Sequence, residues 1–478
     1  MTDLNYTLLN GSSQGLDLLL DRVGESQIVL LGEAFHGTSE FYKWRSEISK
    51  RLIKEKGFSF IAVEGDWPDC FEVNKYIKGF SDSSQSAYKV LHSFNRWPTW
   101  MWANKEMVDL IEWIKVHNNN MDGLRKDKGG FYGLDIYSLW ESLEAIIQYL
   151  KRVDPTALNN AVDAFDCFEP YNKDVERYAH ATAFVPDNCE DEVIETLASL
   201  RNKHDAYTKE QQNKEEKYFN AEQNAITAKE AEKYYRTMMK GDVNSWNLRD
   251  THMMNTLERL IDFHNKDKDT GDGGVGVTGT KAIVWAHNTH IGDARFTDMA
   301  KSGMINLGQL VREKRGSKNT VLVGFSTYSG SVIASKQWGE KMEKMDVPPA
   351  KDGSWDKVLH GLYKNNSSDD IGKDKLFIFS SPHQKDDHNN TDKTTQKKKN
   401  NYIYYYDDDT ENEKTMGQRA IGVVYNPKYE KYGNYVPTKL SSRYDALLFI
   451  DKTNALSPLH MQEIKNDRDL PETFPSGV

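Results

Sequence analysis

Glu33 and His36 stand three residues apart, and His287 and His290 repeat that interval far along the chain. A neutral imidazole held by a carboxylate is a general base near pH 7, able to take a proton from water. A second imidazole or an arginine would stabilise the negative charge that develops on a carbonyl oxygen. Together these groups describe hydrolysis by water with no covalent intermediate. The same residues also suit a metal ion held by His and carboxylate ligands with room for water. Both spacings permit either chemistry.

The elements that must position these groups are legible in the apolar runs. Residues 28–31, IVLL, form a buried strand that stops at Gly32, just before Glu33 and His36. Residues 39–56 carry apolar and charged side chains at helical spacing, and Gly57 ends that helix. Further strands are predicted at 58–63, 130–135, 282–286, 320–325, 420–425 and 446–450, with helices at 103–118, 139–153, 246–264 and 306–313. Strand, helix, strand in this order implies parallel pairs joined by right-handed crossovers. The second strand ends at Glu64, the third at Asp135 and the fourth just before His287, so all these groups fall beyond the carboxyl ends of one sheet. Ligands bind there in open α/β sheets. Singly, each residue has an ordinary explanation, a carboxylate opening a helix or a histidine bonded in a loop. As a set they predict a site.

Around that set, Trp67, Trp97, Trp100, Trp102, Trp285 and Trp338 lie at strand ends or in adjoining loops. Most serve packing, and some, Trp67 among them, are expected to line a pocket for a bulky, largely apolar ligand. The stretch 81–98 reads as loop. From 155 to about 240 the α/β rhythm gives way to a Lys/Glu/Gln/Ala-rich helical segment. The expected division is a core of residues 1–154 and 246–478, with 155–245 inserted as a helical lobe forming a cleft. Residues 384–413 are low-complexity and cannot supply a core.

Composition narrows the function. The 478 residues carry a formal charge of -10 and a pI near 5.8, which argues against a general nucleic-acid binder. No run approaches the roughly 18 apolar residues of a membrane-spanning helix, and a cytoplasmic location with no membrane partner is expected. Cys70, Cys167 and Cys189 are far apart and suggest neither a disulfide framework nor a thiolate zinc site. Two pattern matches are decoys. Gly11-Ser12-Ser13-Gln14-Gly15 precedes the first strong strand, where a nucleophilic serine should follow one. Gly271-x-Gly273-x-x-Gly276 leads into a strand and opens no helix, the reverse of what pyrophosphate binding needs.

Several long, ordered motifs carry a resemblance. GEAFHGTSEFYKWR, FIAVEGDWPD, FYGLDIYSLW, VWAHNTHIGD, GFSTYSGSV, RAIGVVYNP and SSRYDALLFIDKTNALSPL, spread over residues 27–459, resemble the erythromycin esterase family, which also contains succinoglycan-biosynthesis-related proteins. The resemblance implies an α/β, mainly parallel sheet flanked by helices, with a helical lobe over a deep cleft. It implies hydrolysis of a macrolactone-type ester by water, with no cofactor and no metal. By motif, His36 would be the general base, Glu33 and Glu64 would orient it or the water, and Arg45 would support the charge of the cleft. His287 and His290 would bind or polarise the carbonyl, with Asp135 and Trp67 on the substrate side. A metal-dependent hydrolase on the same His/Glu cluster, and a noncatalytic small-molecule binder, are the alternatives.

Overall fold

In a computed structural model the described residues are 4–9, 13–122, 128–171, 175–184, 188–208, 212–238, 243–265, 279–362, 372–379 and 414–460. The low-complexity stretch 384–413 and the glycines 271–276 lie outside them. Among the described residues the strands are β1 (Tyr6–Leu8), β2 (Ile28–Leu31), β3 (Phe60–Asp66), β4 (Gly130–Asp135), β5 (Ala282–Trp285), β6 (Thr320–Ala334), β7 (Glu343–Val347), β8 (Lys375–Ile378), β9 (Thr415–Arg419), β10 (Tyr435–Lys439) and β11 (Ala446–Thr453). Nine of them form one sheet in the order β1-β8-β11-β6-β2-β5-β3-β4, with β7 paired to β6. From β11 to β4 every pairing is parallel. Antiparallel strands complete the β11 edge and cap β6. The fold is the expected α/β, mainly parallel sheet flanked by helices.

The apolar runs explain the burial. In β2, Val29 and Leu31 pack into the cluster on one face of the sheet, and Ile28 and Leu30 into the cluster on the other. A strand covered on both faces must be apolar throughout, because successive side chains point to opposite faces. Helix Ser39–Lys56 then runs back along the sheet and ends as expected. Gly57 adopts φ +69° and its N–H caps the Leu52 carbonyl, a left-handed conformation that glycine adopts without steric cost.

Three expectations are corrected. Residues 420–425 form no strand: Ile421 and Val424 make only isolated bridges, to Phe35 and Ser335, and the ladder falls one step earlier, in β9 against β10. The stretch 81–98 is not all loop, since Ala87–His92 is a helix whose N-cap, Ser86, accepts a hydrogen bond from the Lys89 N–H. Cys167 and Cys189 are joined in a disulfide, and Cys70 is buried and free.

That disulfide lies among the helices that follow helix Leu139–Val153. Leu158–Phe168, Val175–Phe184, Glu190–Asn202 and Gln212–Met238 share a hydrophobic cluster with Leu139–Val153, separate from the two clusters on the sheet. Side-chain bonds tie Gln212–Met238 to the sheet side. Tyr235 Oη donates to the Tyr137 carbonyl at 2.9 Å, and Glu216 accepts from Asn74 and Lys78 at 2.9 and 2.8 Å.

Candidate active site

Register sets the stage for the site. Leu31 of β2 and Val63 of β3 both stand opposite Trp285 of β5, so the three strands run in matched register where β2 and β5 end. Glu64 follows at once, and Glu33 and His287 come one residue further on, so the three groups emerge near one another. A register irregularity between Val63 and Asp66 separates β3 from β4 locally, and Glu64 and Asp66, two residues apart on one strand, both face the same cavity.

The turn after β2 is fixed by backbone contacts. Gly37 lies against β6, where the Ile333 N–H donates to the Gly37 carbonyl at 2.9 Å, and a Cβ on Gly37 would overlap the Ile333 carbonyl. This holds His36 in place, 2 % exposed. Its Nδ1 lies 2.9 Å from Glu33 Oε1, and Arg45 donates to the other Glu33 oxygen at 2.7 Å. Arg45 is fully buried against the rings of Tyr42 and Trp285. With Nδ1 committed to Glu33, Nε2 is the ring nitrogen left for the cavity that His36 lines. Burial works to lower the pKa of His36, but the Glu33 hydrogen bond and the charges of Glu64 and Glu33 outweigh it, so the group is raised above the ordinary 6.5.

Beside it stands a residue that the strand-end reasoning missed. Arg249, from helix Val243–Asn265, donates to Glu64 at 2.7 Å, to Asp135 at 2.9 and 2.7 Å, and lies 3.0 Å from His290 Nε2. The only sequence signal was an adjacent Arg–Asp pair in an otherwise apolar helix face. Glu64 also accepts from the His287 N–H at 2.7 Å. Burial would push Glu64 up, yet His290, Arg249 and His36 together hold it well below the usual carboxylate range. Asp135 is likewise lowered against its burial by Arg249.

The two later histidines sit behind this layer. His287 packs on His36 with ring centroids 4.8 Å apart. Its Nε2 faces the Ala34 carbonyl at 3.0 Å, which can only accept, so Nε2 carries the proton; Nδ1 accepts from the Thr289 N–H and faces its hydroxyl at 2.8 Å. Burial first, and then the neighbouring His36, hold it well below 6.5. His290 Nδ1 lies 2.9 and 3.0 Å from the two oxygens of Asp250, and its ring stacks on Trp246 at 4.5 Å.

Of the residues expected at the site, His36, Glu64 and Asp135 line the cavity; Glu33, Arg45, His287 and His290 surround it without lining it. Trp67 is not brought there. It is 1 % exposed, stacks on Tyr132 and Phe71, and donates to Asn220 at 2.8 Å. The aromatic walls come instead from Trp97, Trp102 and Trp338, joined by Tyr137. Among the described residues no three His, Cys, Asp or Glu side chains converge as a cage for a metal ion, and the positive charge among Glu64, Asp135 and His290 is the Arg249 guanidinium.

Known proteins share this architecture. A succinoglycan biosynthesis protein aligns with TM-score 0.64 and 19% identity over 96% of each chain. A Bacillus cereus protein aligns with 0.66 and 19% over 95% of this chain and 96% of its own. An erythromycin esterase mutant in its open conformation aligns with 0.59 and 14% over 92% and 94%. These likenesses concern the fold. In sequence, the Escherichia coli erythromycin esterase type II is 21% identical over 381 residues, 72% of this chain and 80% of its own length. The profile of the family described as Erythromycin esterase matches residues 53–453, so this chain belongs to the erythromycin esterase family.

Proposed function

We propose that the protein hydrolyses a carboxylic ester of macrolactone type with water activated at His36 and without a covalent intermediate. Family membership supports a hydrolase. The observation that carries the finer reading is the Arg45–Glu33–His36 relay, which ends in an imidazole on a cavity it shares with Glu64 and Arg249.

In this reading Glu33 holds the Nδ1–H of His36, and Nε2 accepts the proton of an attacking water. The hydroxide adds to the ester carbonyl, and Arg249, a cation on the cavity shared with His36, stabilises the oxyanion that forms. Glu64 orients His36 and Arg249 toward each other. His287 acts at one remove: both its nitrogens are engaged, so it braces the His36 turn through Ala34. His290 and Asp250 brace Arg249 in the same way. Asp135 fixes the other side of the guanidinium and borders the substrate.

A mass-spectrometric screen of macrolactones and simple acyl esters tests this directly, since hydrolysis adds one water and identifies the bond. Cleavage in 18O-water with label only in the acid product, and no inactivation by serine-directed phosphonates, is expected. Stoichiometric phosphonate labelling would overturn the direct-water mechanism. Thermal stabilisation by ligands with no ester cleaved would favour a binding protein.

A further inference from the structure

The cavity holds a second titratable group that the mechanism above leaves unused. Asp69 sits in the first turn of helix Trp67–Lys78, immediately after β3, and lines the same cavity as His36. Four charged groups surround it. Asp66 comes from the end of β3, Glu72 from its own helix, Glu141 from the first turn of helix Leu139–Val153, and Arg96 from the loop that also supplies Trp97. Arg96 is committed elsewhere: it donates to both oxygens of Asp66, at 2.6 and 3.1 Å. One guanidinium thus serves several carboxylates, and among the described residues Asp69 takes no hydrogen bond from it.

Burial and the charges of Asp66 and Glu141 push Asp69 up to about 8, against the pull of Arg96. A helix N-terminus ordinarily favours an ionised carboxylate, so the neighbours here outweigh that preference. Asp66 is held by Arg96 in a two-point pair. One cavity therefore presents both a base and a carboxylic acid, and environments that split titratable groups in this way mark acid and base partners.

We propose that Asp69 is the general acid of the ester cleavage, giving its proton to the alkoxide oxygen that leaves when the tetrahedral intermediate collapses. This rests on the hydrolytic reading above. His36 takes one proton from water as the C–O bond to hydroxide forms. Asp69 then supplies one proton as the C–O bond to the alcohol breaks. The imidazolium proton returns to the Asp69 carboxylate through solvent, leaving acid, alcohol and the starting enzyme.

An acid is needed for a poor leaving group and hardly at all for a good one. The test compares the alkyl ester found by the screen with a 4-nitrophenyl ester of the same acid. Asp69→Asn is expected to lower kcat for the alkyl ester about 100-fold and for the nitrophenyl ester less than about threefold on the same argument. The alkaline limb of the wild-type alkyl-ester profile, near pH 8, should vanish in the variant, and Asp69→Glu should restore part of the alkyl-ester rate. Equal losses on both esters, or an alkyl-ester rate like wild type, would overturn the role of Asp69 alone. A wild-type protein that cleaves neither ester would overturn the hydrolytic reading, and this role with it.

Discussion

His36 differs from an ordinary buried histidine in what its two nitrogens face. His287, 4.8 Å away, has a carbonyl on one side and a helix-capping N–H on the other, and is held neutral. His36 has a carboxylate on one side and the cavity on the other. His36→Asn should therefore lower turnover about 10²–10⁴-fold, the usual worth of a positioned base, with an unchanged circular dichroism spectrum. The pH profile follows from the sign of the shift. The base acts unprotonated and its pKa is raised, so kcat/KM should fall on acidification through a midpoint above 6.5. Glu33→Gln removes the carboxylate charge and weakens the hydrogen bond that raise it, and the acid limb should move down in pH. A limb that stays in place would show that Glu33 does not tune His36. Arg249 invites a stability measurement. Replacing it by Met leaves Glu64 and Asp135 buried without their main cation, and breaking a buried pair costs about 3–5 kcal/mol. Urea denaturation should show a loss of that order; a loss below about 1 kcal/mol would mean that the cluster relaxes or takes up protons at little cost.

At the scale of elements, the site depends on the matched register of β2, β3 and β5 and on turns that touch neighbouring backbone. Gly37→Ala is the sharpest probe. The added methyl would meet the Ile333 carbonyl, and the turn would have to leave β6, at a cost of about 1–3 kcal/mol for overpacking and with His36 displaced. Activity should fall more steeply than stability; a fully active Gly37→Ala would show the contact to be loose. The sequence made the strand ends readable because the apolar runs of β2, β3, β4 and β5 each give way within two residues to a titratable side chain, and sheet topology does the rest. It did not reveal Arg249, because a cation in the middle of a helix reads as a solvated face until the helix is known to cross the strand ends. Trp67 was misjudged for the converse reason. An indole beside Glu64 in sequence points either to the cavity or into the core, and only the packing of Tyr132 and Phe71 decides. The run at 420–425 is mostly buried as its apolar residues suggest, but it makes only single bridges, to Phe35 beyond β2 and to Ser335 just past β6, and hydropathy does not distinguish that from a ladder.

The whole molecule joins two kinds of core, the sheet with its two apolar faces and a helical cluster with its own interior. The helical part carries the disulfide, which isolated cysteines 22 residues apart gave no pattern to foresee. Around it the Cys189 N–H donates to Tyr178 Oη, Tyr178 donates to Glu232, and Arg236 spans Glu232 and Glu190. Closing a loop of that length removes unfolded-state entropy worth about 3 kcal/mol. With Cys167 and Cys189 joined and Cys70 free, the denatured, unreduced protein should show one reactive thiol per chain. The double variant Cys167→Ser/Cys189→Ser should then exchange the amide hydrogens of Leu158–Phe168 and Glu190–Asn202 faster. Those of β2 and β5 should keep their protection, because their side chains lie in the two sheet clusters and none lies in the helical one. Helix Gln212–Met238 meets the sheet side through Tyr235, Glu216 and Asn220, through Gln223 and Glu222 to helix Val243–Asn265, which carries Arg249, and through Phe219, which packs in a sheet cluster. If protection in β2 and β5 fell together with that of the helices, the two cores would be one cooperative unit, and substitutions in the helical part would have to be read as substitutions in the site.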